Sequence, residues 1–202
     1  MYYITLMRHG RSLADDEKKH EGRYDSPLTE IGEQQARNTA QRFISEGVIF
    51  NKIIASPLKR AHRTAEIINT FLNTILIDEP LLMEHDNGIL AGMKYEEVNK
   101  KYPLPDFLSP FRYYPEKTGE NPVLLHSRAG QALNAIINHG PGCYLIVTHG
   151  GILNSILRNM LGINYPVNES GVVFSFNDNG FINILYDEKI HKTTIVRMQP
   201  GV

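Results

Sequence analysis

The chain has a single cysteine, no long apolar run and almost no net charge, and each shortage excludes something. Cys143 alone cannot close an intramolecular disulfide and offers no thiolate set for a metal. Its place at the start of an apolar run reads as a small core hydrophobe. There is no charged-then-apolar leader and no stretch long enough to cross a bilayer. A soluble, cytoplasmic protein with no membrane partner is expected. With 21 Lys and Arg against 22 Asp and Glu, the formal net charge is −1. That balance argues against nucleic acid and anionic membranes as partners. Any anion site must then be a local cluster of cations. No internal repeat, low-complexity tract or clear domain boundary breaks the chain, and 202 residues fit one domain with a substantial core.

What is present begins at the first residues. Tyr2 to Met7 is aromatic, β-branched and apolar, and reads as a short buried strand. It ends at Arg8-His9-Gly10-Arg11-Ser12, where glycine permits a sharp turn and close approach of a ligand. Ligands of open α/β sheets sit beyond the carboxyl ends of strands. Alone, this triplet is equally a surface turn with a satisfied histidine. A second apolar strand, Tyr144 to Thr148, ends in His149-Gly150-Gly151 and runs into a helix from Ile152 to Leu161. Two histidines in the same context point to one site built from two neighbouring strands.

Between them the pattern alternates. A polar loop from Leu13 to Asp25 carries mixed charges that read mostly as solvated. Thr29 N-caps a helix whose inward stripe is Ile31, Ala36, Ala40, Phe43 and Ile44, ended by Gly47. Lys52 to Ser56 is a strand. Leu58 to Leu72 is a helix with Ala61, Ala65, Ile68 and Leu72 inward. Its first turn carries Lys59, Arg60, His62 and Arg63, which oppose the macrodipole unless an anion meets them. Ile75 to Ile77 is strand-like, and Leu81 to Gly92 is irregular. Lys94 to Tyr102 is a short helix, and the Pro- and aromatic-rich stretch 103–122, with Phe107, Phe111, Tyr113 and Tyr114, reads as a lid. A helix follows from Leu124 to His139. Val172 to Phe176 and Phe181 to Tyr186 read as strands joined by an Asn177-Asp178-Asn179-Gly180 hairpin turn, with an edge strand from Thr193 to Met198. The expectation is a three-layer α/β/α domain over 1–202, with a mostly parallel sheet, a C-terminal hairpin and a lid insert at about 92–122.

The ordered set Arg8-His9-Gly10, Asp25-Ser26-Pro27-Leu28-Thr29, Ser56-Pro57-Leu58-Lys59-Arg60-Ala61, Glu84 with Gly88 and Gly92, and Thr148-His149-Gly150-Gly151 resembles the histidine phosphatase superfamily, in its phosphoglycerate-mutase-like branch. The resemblance implies a metal-independent phosphomonoesterase acting on a small phosphorylated metabolite, with no cofactor. It implies His9 as the nucleophile, Arg8, Arg60 and His149 as phosphoryl ligands, and Glu84 as proton donor to the leaving group. Ser12, Gly22 and Gly150 become further substrate contacts. Three positions depart from the family pattern: Arg11 where Glu is common, Asp15 where Asn contacts phosphate, and Arg63 where Gln is common. Arg11 and Arg63 are read as extra cations for a second anionic group, and Asp15 as repulsive to phosphate unless paired. His20, His62, His85, His126, His139 and His191 read as surface or structural. A phosphoglycerate mutase is the enzymatic alternative, and an inactive phospho-ligand or protein-binding member is the alternative of another class. A homodimer through the last strand is left open.

Overall fold

A computed structural model describes residues 1–103, 118–163 and 174–201. The strands are β1 (Tyr2–Arg8), β2 (Lys52–Ala55), β3 (Ile75–Asp78), β4 (Gly142–Thr148), β5 (Phe181–Asp187) and β6 (Lys192–Gln199). They form one sheet in the order β3-β2-β4-β1-β5-β6. The first four are mutually parallel, and β5 and β6 are antiparallel additions. The helices are α1 (Leu13–Asp16), α2 (Glu30–Ser45), α3 (Lys59–Leu72), α4 (Tyr95–Lys101), α5 (Pro122–Ile137) and α6 (Gly150–Leu161).

Two cores flank the sheet, as three layers require. On one face α5 and α6 bring Leu125, Ala129, Ile136, Ile152 and Ile156 onto Ile4, Leu6, Tyr144 and Ile146. On the other, α2 and α3 bring Ala36, Ala40, Phe43, Ala65 and Ile68 onto Met7, Ile53, Leu145 and Val147. Central strands alternate between these two cores, so β1 and β4 read as continuous apolar runs. Cys143 packs half-buried beside the second core. No helix among the described residues is long and apolar enough to cross a membrane.

The α2 stripe is narrower than its spacing suggests. Ala36, Ala40 and Phe43 are buried, whereas Ile31 and Ile44 are 57% and 51% exposed. The small residues let α2 lie close, and Gly32 is where it comes closest: a Cβ there would collide with the Arg11 carbonyl. Thr29 caps α2 through the Gly32 N–H, and Gly47 follows its last turn at φ +68°.

The C-terminal hairpin is differently placed from its prediction. Phe174 to Asn177 is no strand, because its backbone is committed elsewhere. Phe174 exchanges hydrogen bonds with the Asn154 amide, the Phe176 carbonyl accepts from Arg8, and Asn177 N–H donates to the Pro200 carbonyl. The hairpin is instead β5–β6, with β6 at the sheet edge. The Asn177–Gly180 turn docks on the end of β1, where Arg8 N–H reaches the Gly180 carbonyl and Asn179 N–H the His9 carbonyl. Val172 and Val173, and the lid aromatics Phe107, Phe111, Tyr113 and Tyr114, lie outside the described residues.

Candidate active site

The two strand-end histidines converge because β1 and β4 are parallel neighbours in register, Arg8 beside Thr148. Their ring centroids lie 5.1 Å apart. His9 N–H continues the ladder to the Thr148 carbonyl at 2.9 Å. Both rings are buried, His9 being 1% exposed.

The hydrogen bonds assign the proton of the His9 ring. Nδ1 faces the Gly10 carbonyl at 2.7 Å, an acceptor, so Nδ1 carries the proton. Nε2 keeps its lone pair and accepts from Arg60 Nε–H at 3.2 Å. Burial holds the His9 pKa well below the usual imidazole range, with the Arg60 and Arg8 charges pushing the same way. The His9 ring is therefore neutral, with an unprotonated Nε2.

His149 is also held neutral, first by burial and then by Arg60, His9, Arg8 and Arg128. Its Nε2 lies 2.8 Å from Ser56 Oγ, which itself accepts from Leu58 N–H at 3.3 Å. With the hydroxyl proton directed to Nε2, Nδ1 is left as a donor, and it has no protein partner among the described residues.

Arg60 enters from the first turn of α3 and is fully buried. Its NH1 and NH2 donate to the Tyr24 and Gly22 carbonyls at 3.0 and 2.8 Å, which aims Nε at His9. Gly22 can supply that carbonyl because it adopts φ +50°, and a Cβ there would strike His85 and Asn87. Arg8, half-buried, reaches the Phe176 carbonyl and Asp15. The clustered cations of α3 meet protein carboxylates: Asp25 caps Lys59 N–H at 2.7 Å, His62 pairs with Asp78 and Glu66, and Arg63 with Glu33 and Glu66.

Glu84 sits beyond a short 3₁₀ turn, Pro80–Leu82. Its carboxylate accepts from the N–H groups of Gly151 and Ile152 at 3.0 and 3.1 Å and from His85 N–H. It thus caps α6, whose N-cap His149 offers no side-chain cap. Gly151 leaves room for this carboxylate, since a Cβ there would come within 2.7 Å of Glu84 Oε1 and displace it. Arg128 of α5 holds the strap from behind, donating to the Leu81, Met83 and Glu84 carbonyls while pairing with Glu120.

A cleft of about 290 Å³ opens above these groups, lined by Arg8, Asp15, Glu21, Glu84, Tyr95 and Gly151 among others. Asp15 belongs to it as an anchored group, in a capping box with Ser12 and 3.4 Å from Arg8. Ser12 is buried beneath. Gly150 opens α6 one residue before the lining Gly151. Arg11 pairs with Asp16 and lines a shallower depression with Arg8, Asp15 and Asp178. Arg63 is a correction: 49% exposed and turned to Glu33, it lines a separate groove with Pro27 and His62. Its guanidinium is drawn outward by Glu33 and Glu66, whereas that of Arg60 is drawn inward by the Gly22 and Tyr24 carbonyls. His20 and His85 line the cleft as well, His20 edge-on to Tyr95 and His85 2.7 Å from the Glu120 carbonyl through Nε2.

The residue missed is Glu21. Read as solvated loop charge, it lies 3.3 Å from Arg60 Nε and 3.6 Å from His9 Nε2, and accepts from Ser12 Oγ. Its neighbour Gly22 was the only local signal.

The profile of the histidine phosphatase superfamily (branch 1) matches residues 4–186. The chain belongs to this superfamily. It is 33% identical over 162 residues to PhoE, an uncharacterised phosphatase of Bacillus subtilis, covering 80% of this chain and 79% of that one. It is 36% identical over 173 residues to a probable phosphoglycerate mutase, GpmB, of Cronobacter sakazakii, covering 81% and 76%. Among solved structures, Bacillus stearothermophilus YhfR shares 25% identity with a TM-score of 0.84 over 100% of this chain and 98% of that one.

Proposed function

We propose that the protein is a phosphomonoesterase that works through a phosphohistidine on His9, without a metal. The observation that carries this reading is the His9 tautomer: Nδ1–H is tied to the Gly10 carbonyl, and Nε2 is free of a proton and faces Arg60 Nε at 3.2 Å. The Nε2 lone pair attacks phosphorus as the ester P–O bond breaks. Arg8, Arg60 and His149 stabilise charge on the equatorial oxygens, where a loose phosphoryl transition state places it. Glu84 delivers the proton to the leaving alkoxide from Oε2, which accepts only from Gly151 N–H and retains a second position for one, whereas Oε1 already accepts from Ile152 and His85. Water then cleaves the N–P bond, returning a proton to Glu84. Ser12, Gly22, Gly150, Asp15 and Arg11 surround the substrate as second-rank contacts, and Arg63, paired with Glu33 and Glu66 in a separate groove, does not join them.

The likeness to PhoE supports hydrolysis, and the likeness to GpmB keeps the mutase as the second reading. Both site histidines are retained, which disfavours an inactive binding member. We further place the protein in the cytoplasm, with small phosphorylated metabolites rather than nucleic acid as ligands. A lone cysteine suits a reducing compartment, and the charge balance suits small anions. The unpaired edge of β6 is where a second copy would add.

The test is phosphate release from p-nitrophenyl phosphate and a metabolite panel in EDTA, beside His9→Ala. Release that survives EDTA and vanishes in His9→Ala supports the proposal. No release from folded wild-type protein overturns it, and interconversion of 2- and 3-phosphoglycerate without release assigns the mutase.

A further inference from the structure

Glu21 is the feature that phosphoryl chemistry does not explain. Three of the donors around His9 are already engaged with, or close to, its carboxylate: Ser12 Oγ–H donates to it, Arg60 Nε lies 3.3 Å away, and Arg8 adds charge nearby. Its Oε2 also lies 3.6 Å from His9 Nε2, so two acceptors face one another across the point of attack. The arrangement is compact enough that His9 is 1% exposed and Arg60 fully buried, while the Glu21 side chain is 14% exposed. Glu21 is thus the group between the cleft and the nucleophile.

Resting on the phosphatase reading, we propose that Glu21 is a phosphoryl-site residue whose carboxylate holds the place of the incoming anion on Ser12 and Arg60 and yields it to substrate. Phosphate and the ionised Glu21 then compete for one set of donors, and a proton taken up by Glu21 favours phosphate. The surrounding groups fit this exchange. Arg60 approaches from α3, Arg8 and His9 from the end of β1, Ser12 and Asp15 from α1, Glu84 from the strap after β3, and Tyr95 from α4, with His20 in the same loop. His9 and His149 are held neutral and Asp15 is a second carboxyl, so the two arginines and the Ser12 hydrogen bond are what oppose protonation. Burial pushes Glu21 above the usual carboxylate range despite the pull of Arg60, Ser12 and Arg8, and Asp15 adds to the rise. Burial likewise disfavours the Arg60 cation, so the pair is a costly one that a doubly charged anion can replace.

The test is calorimetric binding of inorganic phosphate to wild-type, Glu21→Gln and Glu21→Ala proteins between about pH 5 and about pH 8, with affinities compared as ratios so that the ionisation of phosphate cancels. Expected is tighter binding by both variants, with a ratio near one in acid, where Glu21 is protonated, that rises by up to about tenfold per pH unit once Glu21 is ionised in the free protein. A ratio that stays flat with pH, or variants that bind more weakly throughout, overturns the proposal and makes Glu21 a mere brace for Arg60. Failure of all three folded proteins to bind phosphate at any pH overturns the phosphatase reading instead, and this inference with it.

Discussion

Arg60 donates its Nε–H to Nε2 of His9 across 3.2 Å, although the two residues are 51 positions apart. The same guanidinium spans the Gly22 and Tyr24 carbonyls, so its plane is fixed by three partners at once. A lysine keeps the charge but not the fork. Arg60→Lys is expected to lower kcat/KM by about 100-fold, while thermal unfolding confirms a folded chain. Near-normal kinetics in that variant would show that charge alone suffices.

Glu84 and Gly151 form a second matched pair. Because a Cβ at 151 would press on Glu84 Oε1, Gly151→Ala should displace the carboxylate while leaving His9 in place. The expected result is a fall of about tenfold or more in turnover of alkyl phosphates, whose leaving group needs a proton, and a smaller fall for p-nitrophenyl phosphate. Equal losses on both substrates would remove Glu84 from leaving-group protonation.

The buried histidines set a stability profile. His9 and His149 titrate well below their unfolded values because burial opposes the charged ring. Below about pH 6.5 the unfolded chain therefore binds protons that the folded chain does not, and stability falls as the pH is lowered. Urea unfolding free energy should drop across that window, and His9→Asn should make the slope shallower by about 1.4 kcal/mol per pH unit. An unchanged slope would mean that His9 is charged in the fold.

Arg128 and Glu120 supply a third measurable pair. Burial pushes the Glu120 carboxyl up, but hydrogen bonds and charge from Arg128 outweigh it, with the Asp86 N–H and Arg23 helping, and the net direction is down. A depressed carboxylate contributes stability that is complete above its unfolded pKa and is lost as pH falls through the folded one. Arg128→Met should therefore destabilise the protein by about 3 kcal/mol near neutrality and by less in acid, since it strands Glu120 and frees the Leu81, Met83 and Glu84 carbonyls. The same variant should lower kcat by loosening Glu84. A loss of stability without a pH trend would argue against the pair.

The sequence by itself determined the sheet-and-helix alternation and the two strand-end histidines. These follow from local rules: apolar runs for strands buried on both faces, apolar spacing for helices, glycine where backbone must turn or approach. The parallel pairing of β1 with β4 was accessible for the same reason, since both strands are apolar throughout and end alike. Side-chain partners were not accessible that way. Arg60 and Arg63, one turn apart, share a face of α3, yet only Arg60 reaches His9, because the Gly22 and Tyr24 carbonyls draw it inward while Glu33 and Glu66 hold Arg63 outside. Asp15 and Glu21 look like solvated loop charge, yet one anchors on Arg8 and the other reaches His9 and Arg60. Phe174 to Phe176 has the composition of a strand, but Asn154 and Arg8 claim its backbone first. Local pattern decides which segments are strands or helices, whereas the pairing of one charge with another depends on where the folded chain brings them, and that only the tertiary structure decided.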